Sequence, residues 1–218
     1  CSFILNIAFQ NGAAIYANSV INLTISNTYI VENKCETNGA VLVKNCIIFR
    51  IIKSNLEENI ETAIDFLESG TLKIVDCNFS YNRAGFGGAV YTDTVLSFQY
   101  YNCRFMHNSA KNSGGAICTF KTNYIIGIMS VFMNNSAHKN AGAALSTADS
   151  VHIYIYSTIF HGNNNSAVDS ENGKRLVMKN CTFRNNEGKS NGGGGACITK
   201  FNMVVVQTSV FLQNKITR

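Results

Sequence analysis

The chain has 218 residues, 46 % of them apolar and 14 % charged, enough to bury a sizeable core, and no segment approaches the eighteen consecutive apolar residues of a membrane span. Its formal charge of +5 comes from eighteen scattered Lys and Arg with no basic run longer than Lys174-Arg175, which argues against a nucleic-acid partner. Trp and Pro are absent; proline cannot donate to a sheet ladder, so its exclusion fits a chain whose backbone N–H groups are committed to such ladders.

The chain opens on Cys1-x-Phe3-x-x-Asn6, crosses a short stretch to Ala14, alternates apolar residues at Leu23 and Ile25, and reaches Thr28-x-Ile30-x-x-Asn33. The same order then recurs to the end. Its anchor is an Asn in every unit, at Asn6, Asn33, Asn59, Asn82, Asn108, Asn135, Asn163, Asn186 and Asn214. The period is nearly regular, shortest from Asn59 to Asn82 and from Asn163 to Asn186, longest from Asn135 to Asn163 and from Asn186 to Asn214. Three positions before each Asn stand Phe3, Ile30, Leu56, Phe79, Phe105, Phe132, Phe160, Phe183 and Phe211. Two further back stand Cys1, Thr28, Ser54, Cys77, Cys103, Ser130, Thr158, Cys181 and Ser209.

A second landmark is a small-residue corner at Ala14, Ala40, Ala63, Ala89, Ala116, Ala144, Ala167 and Ala196, usually preceded by Gly or Ala. The spacing from this Ala to the next Asn is the same in every unit from Ala14–Asn33 to Ala167–Asn186, and a single position shorter in the last, Ala196–Asn214. The preceding Asn-to-Ala stretch, by contrast, more than doubles in length between Asn59–Ala63 and Asn186–Ala196. One part of each unit is therefore nearly constant and the other is an adjustable loop. Within the constant part, the positions ten and eight before Asn alternate as in Leu72/Ile74 and Ile153/Ile155, the mark of a strand with one buried face. Each unit is expected to hold three strands: one after the Ala, one around the alternating pair and one ending at Phe-x-x-Asn.

Units of this length built only from strands imply a solenoid in which each strand pairs with its equivalent one turn later, a three-sided parallel β-helix of about eight coils rising about 4.8 Å each. Residues 1–218 read as a single such repeat region. The recurring Asn has a physical reason. A tight turn buries peptide groups, each costing about 1–3 kcal/mol if unpaired, and an Asn in every coil can bond the turn backbone above and below it. Gly-Gly-Ala supplies the other corner, where Gly tolerates positive φ and Ala permits close approach.

Repeated Gly-Gly-Ala-apolar segments at 87–90, 114–117 and 194–197, alternating with Phe-x-x-Asn, make the chain similar to the repeats of the chlamydial polymorphic outer-membrane protein family, which also occur in protist surface proteins. The resemblance implies a right-handed β-helix at the cell surface or outside the cell, used as a stalk, passenger or filament component in adhesion. It carries no catalytic residues and no cofactor. It departs from the pattern where Gly-Gly is lost, at Ala14, Ala63, Ala144 and Ala167.

A polysaccharide lyase or hydrolase is the alternative, since both use this scaffold. Glycoside hydrolysis needs two carboxyl groups about 5–9.5 Å apart. Asp65 and Asp169 share a column four coils apart, and strand alternation is expected to send Glu57, Glu58 and Glu61 to different faces, so the chain reads as a non-enzyme. The four His, at positions 107, 138, 152 and 161, fall in four different columns, unlike a metal site. Cys77 and Cys103 are the only ladder cysteines in adjacent coils and are the disulfide candidates, although parallel Cβ vectors favour reduced core thiols. Sequons for N-glycosylation occur at Asn22, Asn78, Asn134, Asn164 and Asn180, as many as chance predicts. The expected partners are a surface glycan or protein receptor at the edge formed by the Asn-to-Ala loops, and further coils or identical chains stacked end to end, because neither terminal sequence reads as a cap.

Overall fold

The computed structural model describes residues 1–139, 142–189 and 193–217, and all regular structure in them is β-strand and turn. Parts of the two longest Asn-to-Ala loops, at 140–141 and 190–192, lie outside the described residues. Among the described residues every strand pairing is parallel, and each joins a residue to its equivalent one coil on, which makes a solenoid of about eight coils. Sheet A contains nine three-residue strands, from Ser2–Ile4 to Val210–Leu212, and carries the aromatic column in register. Phe3 pairs with Ile30, Ile30 with Leu56, and so on through Phe183 with Phe211. The rings from Phe79 to Phe211 stack with centroids 4.5–5.0 Å apart and planes within 12° of parallel. The coil spacing imposes that geometry, and it satisfies the packing preference of aromatic faces once they are offset.

The expected three strands per coil are divided among the faces differently. The strand after the Ala and the strand around the alternating pair belong to one eleven-stranded sheet, C, and in five coils they fuse into a single twelve-residue strand such as Val90–Tyr101. The chain bends within that strand at one residue in the left-handed region, for example Thr94 at φ 55° and Lys121 at φ 45°, without leaving the sheet. The third face, B, lies in the stretch read as loop. It consists of short strands immediately after the Asn, such as Arg83–Ala84, Ser109–Ala110 and Ser136–Ala137, joined across coils by single bridges at Ile60 and Asn164. Two-residue strands are too short to show a hydrophobic period.

The last corner also differs. Val168 pairs with Ala196, so Gly195, not Ala196, stands opposite Ala167. The constant corner-to-Asn spacing is thereby kept in the final coil, and the Gly-rich run absorbs the difference. At this corner Gly87 and Gly114 adopt φ 56° and 65°, and a Cβ on either would overlap the carbonyl oxygen three residues on.

The core lies inside the three faces, with Phe49, Phe66, Phe98 and Tyr100 filling it between the aromatic stack and sheet C. Tyr100 occupies the space that a side chain at Gly127 would need in the next coil. The Cys/Ser/Thr column is more than small filler. Ser54 and Ser130 hydroxyls donate to the carbonyls of Ile52 and Ile128, two residues back, and accept the backbone N–H of Thr28 and Cys103 from the adjacent coil. Thiols imitate this: Cys77 and Cys103 donate to Val75 O and Tyr101 O, both at 3.1 Å.

Candidate functional site

The nine Asn form one continuous column. From the second rung on, each side-chain oxygen accepts both the backbone N–H and the amide of the preceding Asn, as Asn108 Oδ1 does from Asn82 at 3.1 and 3.0 Å. Each amide also donates to the carbonyl of the aromatic column one coil back, as Asn108 Nδ2 does to Phe79 O at 3.0 Å. The pattern runs unbroken from Asn6 to Asn214. The ladder fixes the turn, and the turn dictates what lies outside it. The residue before every Asn sits in the left-handed region, from Leu5 at φ 57° to Gln213 at φ 52°, and so projects away from the core.

This geometry builds a trench along the corner between sheets A and B over the coils that contain Asn59 to Asn135. One wall is the turn column of Tyr81, His107 and Asn134, continued by Glu58. The floor is the register-paired column of Ile60, Arg83, Ser109 and Ser136. Glu61, Lys111 and His138, at the start of the Asn-to-Ala loops, form the other wall. The main cavity is about 700 Å³, and an adjoining recess of about 320 Å³ is bounded by Glu58, Ile60, Tyr81 and Arg83. Tyr81 and His107 stack with centroids 4.9 Å apart and planes 3° from parallel, so one face of the tyrosine ring is left for the recess. Carboxylates lie at one end, whereas Arg83, Lys111 and the two imidazoles lie along the rest. The trench can therefore take a ring-bearing, hydrogen-bonding and partly anionic ligand.

Glu58 and Glu61 do not turn to opposite faces: both are in turns at φ 53° and 58°, where strand alternation no longer applies, and they border adjoining parts of one trench. His107 and His138 occupy different columns yet line the same cavity, because a turn residue of one coil and a loop residue of the next converge on the same corner. His152 lies elsewhere, stacked on Tyr124 on the outside of sheet C, and His161 lies on sheet A. Among the described residues no group of three His, Cys, Asp or Glu is placed to hold a metal ion.

Asp65 and Asp169 stand in one column four coils apart, through Tyr91, Cys118 and Ser146. Asp65 is buried and accepts the Gly39 N–H at 2.7 Å; burial pushes its carboxyl up to about 6 against that hydrogen bond and one from Thr62. All eight cysteines are free. Burial pushes the thiols of Cys77 and Cys103 up to about 11 and about 12, which leaves little thiolate to react. Of the sequons, Asn22, Asn134, Asn164 and Asn180 are exposed, while Asn78 is half-buried and donates to Asn55 Oδ1 at 2.9 Å.

The trench was hidden from sequence reasoning because its columns carry no repeated residue type. The signal that could have found it is the phase of the Asn, since counting one back and one forward from each ladder position gathers Tyr81, His107, Arg83 and Ser109. A family model described as a right handed beta helix region matches residues 38–211. No curated protein and no solved structure matches the chain.

Proposed function

The chain belongs to the right-handed beta-helix family, and from that premise we propose that it is a structural and adhesive segment at the cell surface or outside the cell, without catalysis. The carrying observation is the division of labour within each coil: the stretch from corner to Asn keeps its length and register throughout, while length changes are confined to the stretch after the Asn. Such a frame presents variable loops on one edge and holds them rigidly, as a stalk or passenger in adhesion requires. The similarity to polymorphic outer-membrane repeats supports this reading, as does the exposure of four of the five sequons. The partner is a surface glycan or protein receptor met at that edge. The test is to shorten the stretches between Asn135 and Ala144 and between Asn186 and Gly195, keeping these four residues, to the length of the connection between Asn59 and Ala63. Binding to target cells is expected to be lost while the strand spectrum is kept; unchanged binding would move the contact to a flat sheet face.

A polysaccharide lyase or hydrolase is the second reading, favoured by the convergence of Glu58 and Glu61 on one trench. A screen of acidic polysaccharides for released reducing or unsaturated ends decides it, with Glu58→Gln and Glu61→Gln as controls.

A further inference from the structure

We propose that the corner between sheets C and A at Met129 docks on the surface of an anionic phospholipid bilayer. This goes beyond the adhesive reading, whose loops follow sheet B at a different edge.

The local backbone singles this corner out. The turn column that leads from sheet C into sheet A runs through Asn102, Met129, Ser157 and Asn180, all in the left-handed region. A hydrocarbon side chain has no preference for that conformation, and Met129 is 59 % exposed, so the fold itself gives no reason for a methionine there. Its neighbours do. Strand alternation turns Ile126 and Ile128 outward on sheet C, and Val131 and Met133 outward on sheet A, so the five outward residues of this coil around the corner are all apolar. The next coil sets Tyr154 and Tyr156 in register with Ile126 and Ile128, and the exposed Ile159 in register with Val131. On the sheet A flank, a shallow hollow of about 540 Å³ has Met106, Val131, Met133 and Ile159 along it, with Arg104 and Arg184 in its first and last coils.

Charge selects the occupant. Residues 99–106, 126–133, 154–161 and 177–184, which cross this corner in four successive coils, include Arg104, Lys179 and Arg184 but no Asp or Glu. The one carboxylate of the turn column, Asp76, lies two coils from Met129 and accepts a hydrogen bond from Asn102 Nδ2 at 2.7 Å. Nothing within the patch offsets its cations, so the partner is anionic as well as apolar. A bilayer supplies both: the apolar ridge enters the boundary of headgroups and acyl chains, the tyrosines sit at headgroup level, and the cations meet lipid phosphates. Shape favours lipid over protein. A solenoid corner is convex, so two copies of it meet only along a line and a protein partner needs a preformed cleft, whereas lipids rearrange around a wedge.

The experiment is cosedimentation of the purified chain with vesicles of phosphatidylcholine alone and of phosphatidylcholine mixed with phosphatidylglycerol. Binding to the mixed vesicles is expected to be about tenfold or more tighter than to the neutral ones, and to weaken as salt rises. Met129→Asn removes the tip of the ridge with a residue that suits the turn; binding should fall about fivefold or more while the melting temperature does not fall, which separates lost docking from lost folding. Lys179→Gln and Arg184→Gln, both at exposed positions, should each cost about fivefold, and Lys34→Gln, exposed on sheet B, should bind as the unaltered chain does. Glycerol phosphate should release no more chain than chloride at equal ionic strength. No binding to the mixed vesicles, equal binding to the neutral ones or indifference to Met129→Asn overturns the proposal. So does a loss with Lys34→Gln as large as with Lys179→Gln, which would mean unspecific charge attraction, or displacement specific to glycerol phosphate, which would mean a soluble-anion site. A dimer of the chain alone that Met129→Asn abolishes would give the corner to a second copy and overturn it too.

Discussion

Asn108 shows how much one side chain holds in this fold. Its amide serves Phe79 O and Asn135, and its oxygen serves the N–H and amide of Asn82, all out of reach of solvent. Asn108→Ala leaves at least a buried carbonyl and a buried N–H unpaired, so a loss of about 3 kcal/mol in urea unfolding is expected, with a smaller loss for Asn6→Ala on the half-buried first rung. Asp65 makes the opposite kind of contribution. Its carboxyl is pushed up to about 6, above the usual carboxylate range, chiefly by burial and further by Glu61, against the Gly39 and Thr62 hydrogen bonds and Lys44. The folded state therefore holds the proton more tightly than the unfolded chain, so Asp65's stabilising contribution is fully present below about pH 4 and is lost as pH rises through about 6. Asp65→Asn keeps an acceptor for Gly39 and carries no charge. The difference in unfolding free energy between the two proteins should change by roughly 2 kcal/mol between pH 4 and 7.5, in favour of the variant at the higher pH; a flat difference would show that the carboxylate is not buried in solution.

At the scale of the element, the turns pass through the left-handed region on residues of unequal aptitude, some Asn or Asp, such as Asn102 and Asp149, and others, such as Lys121 and Met129, with no preference for it. Three such columns run along the solenoid, represented in one coil by Thr94, Asn102 and His107 and in the next by Lys121, Met129 and Asn134. A non-glycine residue there costs about 1–2 kcal/mol unless, like Asn, it is short and hydrogen-bonds locally. Met129, at φ 50° and mostly exposed, has neither advantage. Met129→Asn is expected to stabilise the protein by about 0.5–1 kcal/mol, and Asn102→Val in the same column to destabilise it by about 1 kcal/mol or more, both read from thermal melts. None of these columns was legible in the sequence, because the local cost is small beside the ladders on either side and so tolerates Leu, Glu, Tyr or Lys.

For the whole molecule, the stack offers surfaces on which another coil can seat. Val204, Val206 and Phe211 continue the core columns yet are 44–47 % exposed, and Phe211 already stacks on Phe183 with one face. An identical chain seated end to end would cover them. Light scattering on the 218-residue chain is expected to show concentration-dependent association that Phe211→Lys suppresses; a dilute, stable monomer with protected amides in its last coil would refute it. The inward half of this molecule could be read from the sequence by itself: the period, the Phe and Asn columns and the strand pairing follow because a buried position must meet the same packing and hydrogen-bonding demand in every coil. What only the tertiary structure decided lies outward or at the corners. The sharing of one sheet by two strands, the substitution of Gly195 for Ala196 at the last corner and the meeting of Glu58, Tyr81, Arg83 and His138 in one trench leave no period in the sequence. Outward side chains face water and are free to vary, and their neighbours are residues a full coil away, brought alongside by the length of the intervening loops.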